Sequence, residues 1–121
     1  MIIDELKAMI DDSGLVVDYQ QVNFFNEAKH INKTVAYRIN GGAGTDQYIR
    51  NPDVDFTFYG SATDSANDIG LAADNLFSYF LDNYRSSCII GISALSEVNG
   101  VYYTDTERPF YTFSIRLKTA R

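Results

Sequence analysis

The sequence predicts an α+β fold: a mostly antiparallel sheet of about four strands with two covering helices. Three observations carry that expectation. Residues 54–58 and 111–117 alternate apolar and polar side chains, the period of a strand with one buried face. Ile69, Ala72, Ala73, Leu76, Phe77, Phe80 and Leu81 recur at three- and four-residue steps, the stripe of an amphipathic helix. The elements come in the order helix, strands, helix, strands, without the regular strand–helix alternation of a parallel sheet.

The elements follow in order. Ile2, Ile3, Leu6, Met9 and Ile10 share one face of a short helix over 2–12, with Asp4 and Glu5 at the positive end of its dipole. Ser13-Gly14 supplies the stop, because glycine accepts the left-handed conformation that closes many helices. Residues 15–25 are rich in β-formers but lack a clean period. Val35, Tyr37 and Ile39 alternate with Ala36 and Arg38, predicting a strand over 35–39, and the glycine-rich 40–46 stretch reads as a loop. In the next strand Val54, Phe56 and Phe58 face one way, and Asp53, Asp55, Thr57 and Tyr59 the other. Gly60 ends it. Ser65, with Asp68 three residues on, predicts an acidic variant of the capping box at the start of a helix over 66–83. Residues 88–92 open a strand buried on both sides or near the sheet centre, which continues through 93–96, and Asn99-Gly100 reads as a two-residue turn. A last strand runs over 110–117. These faces predict a core of Val54, Phe56, Phe58, Leu76, Phe80, Phe113, Ile115 and Leu117.

Composition narrows the function. The chain has 121 residues, the size of one domain with a real core, so a single unit over 1–121 is expected. A formal net charge of −6 repels phosphate backbones, so specific nucleic-acid binding is not expected. One cysteine, Cys88, cannot close an internal disulfide, and one histidine, His30, cannot build a histidine-rich metal site. No apolar run approaches the roughly 20 residues that span a bilayer, and the N-terminus offers no export signal, so a cytoplasmic domain is expected.

Catalytic groups do not assemble. The 41–46 glycines lack the lysine of a phosphate loop, and Asp46 would repel phosphate. Asp53 and Asp55 share one side of a strand, but paired carboxylates need further ligands or a histidine nearby to become a site. His30 lies in a polar connection, Cys88 opens an apolar run, and Ser86 and Ser87 have no nucleophile elbow around them. No enzyme, cofactor or metal is expected. Nine tyrosines and eight phenylalanines remain to be placed. Most phenylalanines fall on core faces. Tyr48 beside Ile49, and Tyr102-Tyr103 beside the expected turn, have the amphipathic character of interface residues.

This pattern resembles the tail-terminator proteins of long-tailed bacteriophages, small acidic α+β proteins. The pieces that match are the helix at 2–12, the Val-Ala-Tyr strand at 35–39, the Val-Asp-Phe-Thr-Phe-Tyr strand at 54–59, the helix at 66–83 and the C-terminal strand at 110–117. The charged loop Thr-Asp-Thr-Glu-Arg-Pro at 104–109 precedes that last strand. The resemblance implies a non-catalytic virion protein at the tail end or neck, assembled in the host cytoplasm. It implies a homo-oligomeric ring, a hexamer, that stops the tail tube and gives the head-connector or neck protein a docking surface. Its partners would be itself, the tail tube protein and that connector, with DNA passing through the ring and no membrane involved. Gly42 and Gly44, with Tyr48 and Ile49 after them, would suit one adaptable contact arm, and Tyr102 with Tyr103 another. Another neck or tail-completion protein, a small α+β ligand-binding module and an acidic nucleic-acid mimic remain alternatives at this level.

Overall fold

In the computed structural model, residues 2–26, 29–40, 52–83 and 89–119 are described. Helix α1 (Ile2–Ser13) buries Leu6, Met9 and Ile10, the three- and four-residue spacing that amphipathicity requires. The side chains of Ile2 and Ile3 lie outside the described residues. The helix stops where expected. Gly14 takes φ 69° and donates its N–H to the Asp11 carbonyl at 3.2 Å. The Ser13 hydroxyl donates to the Ile10 carbonyl at 2.6 Å.

Strands β1 (Gln20–Val22), β2 (Thr34–Asn40), β3 (Asp53–Tyr59), β4 (Ile89–Tyr103) and β5 (Pro109–Thr119) form one sheet in the order β1-β2-β3-β5-β4. Every pairing is antiparallel except β1 with β2. The fifth strand is the short β1, inside the aperiodic 15–25 stretch. Only three of those residues pair, because Val16 and Val17 are adjacent and cannot share one strand face. A turn closed by the Tyr19 N–H on the Val16 carbonyl buries Val16 and leaves Val17 exposed.

Helix α2 (Ala66–Asp82) lies over β3, β5 and β4, with α1 beside it. Between sheet and helices sits the core, and all eight residues expected there are buried. Its centre is a cross-strand row in register, Tyr37–Phe56–Phe113. Phe56 stacks on Phe113 at 4.9 Å and on Tyr37 at 5.3 Å, and meets Phe80 of α2 at 5.2 Å. Such ring pairs add about 0.5–1.5 kcal/mol each beyond the area they bury. Gly70 lets α2 approach closely: a Cβ there would stand 2.8 Å from Cζ of Tyr111.

Three local expectations are corrected. Ser65 has the extended conformation of a cap residue but its side chain makes no cap bond. The nearby carboxylate that does close a turn is Asp64, which accepts the Ser61 N–H at 2.7 Å. Asn99-Gly100 is not a hairpin turn; β4 continues through it to Tyr103, with register shifts between Ser96 and Asn99 and between Asn99 and Tyr102. The extra residues are absorbed as bulges, which bend a strand without ending it. Finally, β4 is an outer strand and not a central one. Ile89 is buried, but Ser93, which pairs with Arg116 on the face away from the helices, and Ala94 and Leu95, at a register shift, are exposed. Cys88 lies outside the described residues.

Candidate assembly surfaces

Of the expected interface residues, Gly42, Gly44, Tyr48 and Ile49 lie outside the described residues. Tyr102 and Tyr103 stand at the end of the outer strand β4, 48% and 58% exposed, with Val101 exposed beside them. They reach this position through a continuous strand, not a turn.

Register explains what lies behind them. Tyr59, Phe110 and Tyr102 are successive partners across β3, β5 and β4, so their rings share the sheet face opposite the helices. Tyr102 leans on Phe110 at 5.4 Å, and Phe110 on Tyr59 at 5.3 Å. Phe25, from the connection after β1, lies flat on Tyr59 at 3.7 Å with 7° between the rings. A row of four aromatic rings therefore crosses this end of the sheet and finishes at solvent on Tyr102.

Arg108 anchors the row. It is buried, and its guanidinium lies 4.8 Å from the Phe25 ring centre. Its Nε donates to the Gly60 carbonyl at 2.7 Å, Nη1 to that of His30 at 2.5 Å, and Nη2 to that of Asn32 at 2.9 Å. Three planar donors thus tie the β4–β5 turn to the end of β3 and to the connection before β2. This suits the rigid fork of arginine and not the point charge of lysine. A basic residue in a polar loop reads as a surface group, so the sequence conceals this role.

Of the catalytic candidates, Asp53, Asp55 and His30 have structural partners, and Ser86, Ser87, Cys88 and the 41–46 glycines lie outside the described residues. Asp53 pairs with Arg116 at 2.7 Å, and Asp55 accepts the Ser114 hydroxyl at 2.6 Å, both as cross-strand neighbours. The hydrogen bond to Asp53 holds the exposed Arg116 guanidinium more firmly charged than usual. His30 accepts the Asn26 N–H on Nδ1 at 2.9 Å, the role of a turn-closing side chain. Among the described residues no group of three or more His, Cys, Asp or Glu could hold a metal ion, and no helix is long and apolar enough to cross a membrane. A cleft of about 210 Å³ is lined by Asp4, Lys7, Gln21, Val22, Asn23 and Tyr37. Its central amide is already engaged, since Gln21 donates to Asp11 at 2.9 Å and accepts the Tyr37 hydroxyl at 2.7 Å.

The geometry therefore offers exposed aromatic and apolar strand ends on a five-stranded sheet, with no assembled reaction centre among the described residues. Comparison with curated proteins gave no match. A family model described as phage tail termination protein matches residues 1–121, the whole chain. Such proteins are structural and non-enzymatic components of the virion tail that act at the tail tube. With its two helices on a mostly antiparallel mixed sheet, this chain belongs to the phage tail termination protein family.

Proposed function

We propose that this chain, acting as one domain over residues 1–121, closes into a hexameric ring. The ring ends tail-tube growth and offers the head-connector or neck protein its docking surface. The observation that carries this reading is the exposed tyrosine pair, Tyr102 and Tyr103, on an outer strand of a chain from this family. Aromatic side chains left at solvent on a sheet edge suit a partner surface, and an uncovered edge is a template for pairing. Gly42, Gly44, Tyr48 and Ile49 belong to a second contact arm. The net charge of −6 suits a wall past which DNA slides without sticking. Exposed Asp4, Asp11, Asp12, Asp68, Asp74 and Asp82 place much of that charge on the two helices.

The test is a Tyr102→Ala/Tyr103→Ala double variant, supplied to phage in place of the native chain. The monomer is expected to stay folded and lose about 1–2 kcal/mol, since both side chains are half exposed and Tyr102 gives up one ring contact, with Phe110. Its tails are expected to be overlong or unable to join heads. Tails of native length joined to heads would overturn the role given to these residues.

A further inference from the structure

The strand order leaves β1 and β4 as the two outer strands, and the pairings make them run in opposite directions. One registered row, Gln20–Thr34–Tyr59–Phe110–Tyr102, connects the two edges at the same end of the sheet. Exposed large apolar side chains gather on the same two sides. Leu95, Val101, Tyr102 and Tyr103 stand on β4, and Val17, Phe24 and Ile31 on the segments leading into and out of β1. The remaining two among the described residues, Leu71 and Leu81, are on α2.

Charge divides in the same way. On β4 and the turn after it, the exposed charged side chains are Glu97, Asp105 and Glu107. The described charged side chains flanking β1, over 17–33, are Asp18, Lys29 and Lys33. Two copies meeting β4 to β4 would oppose only acids, whereas β4 meeting the β1 side faces two lysines and a single acid.

We propose that the 101–103 end of β4 docks on the β1 side of a second copy of this chain, placing Tyr102 and Tyr103 against Val17 and the β1 edge. Because the outer strands run oppositely, a sheet continued across this contact pairs antiparallel. β1 supplies three residues, matched by the three at the end of β4. The contact is heterologous, each copy using one side to give and the other to receive, which is the kind that closes into rings. It rests on the ring reading above and names the surfaces that close it.

The test is cross-linking within assembled tails, in a chain whose native Cys88 is changed to serine. Val17→Cys and Tyr103→Cys are introduced singly and together, and a short bis-maleimide is added. Both positions are exposed, so the substitutions spare the core. The double variant is expected to give a ladder of covalent species beyond the dimer, and each single variant only monomer. A dimer from Tyr103→Cys alone, or no ladder from tails that contain the double variant, overturns the contact but leaves the ring intact. Tails that contain none of the native chain overturn the ring itself and this contact with it. A photoreactive phenylalanine analogue at position 103, which keeps the ring, gives a second reading. Adducts mapping to 15–33 support the contact, and adducts mapping to β4 overturn it.

Discussion

Arg108 shows how one side chain organises this end of the molecule, because its three donors are matched by three main-chain carbonyls from two segments, the end of β3 and the connection before β2. Charged hydrogen bonds contribute about 1.5–3 kcal/mol each, and their loss takes this donor from the Gly60 and His30 carbonyls, while the Asn32 carbonyl keeps the Thr34 hydroxyl. Arg108→Ala is therefore expected to cost about 3 kcal/mol in urea titration, and Arg108→Lys most of that, since an ammonium cannot span three acceptors. Phe56→Ala is expected to cost about 3–5 kcal/mol, as for other fully buried rings. A loss below 1 kcal/mol would contradict its place at the core centre. Phe56 was legible because strict alternation assigns a face, whereas nothing local reveals that Arg108 reaches carbonyls far away in the chain. Two tyrosines set an alkaline limit. Burial, with Asp64, Asp68 and Asp18 nearby, pushes the Tyr19 hydroxyl up to about 12, and burial with Asp11 nearby does the same for Tyr37. In the unfolded chain they lose protons near pH 10, so the folded state binds more protons across roughly pH 10–12. Their contribution is fully present below that window and falls as pH rises through it. Denaturant titrations at pH 9, 10.5 and 11.5 should show that decline, and Tyr19→Phe should lessen it.

Among the elements, those with one clear period were readable and those with mixed exposure were not. β3, β5 and α2 each bury one face, so alternation or a helical stripe marks them. β4 defeated the reading because Asn99-Gly100, a strong hairpin signal in isolation, sits within a bulged outer strand held by its long pairing with β5. Tyr111 explains the glycine there. Its ring packs between Gly70 of α2 and Gly100 of β4, where a Cβ on Gly100 would stand 2.5 Å from Cδ2 of the ring. Gly100 also takes φ 152°, which L side chains rarely adopt. Gly100→Ala is thus expected to cost about 2–3 kcal/mol by combining backbone strain with overpacking. Gly70→Ala should cost less, because better helix propensity offsets part of the contact at 2.8 Å. Gly91→Ala, whose Cβ would meet Lys118 at an ordinary 3.5 Å, is the near-neutral control in the same melts. The contact arm at 40–49 was an expectation from composition, and its glycines and Tyr48 lie outside the described residues.

At the scale of the whole molecule, one sheet carries helices on one face, an aromatic row on the other and apolar side chains at both edges. The fold class was legible because element order and face periodicity both depend on burying one shared core. The edges were not, since a sequence does not say which strand lies outermost. The family match makes the chain a tail component, and the exposed edges are the surfaces proposed above to close a ring. The proposed ring acts only if its absence leaves tube growth unchecked. The most direct measurement is the distribution of tail lengths in electron micrographs of lysates from phage that lack this chain. Tubes of uncontrolled length, without heads, are the result predicted here. Tails of uniform native length joined to heads would contradict it.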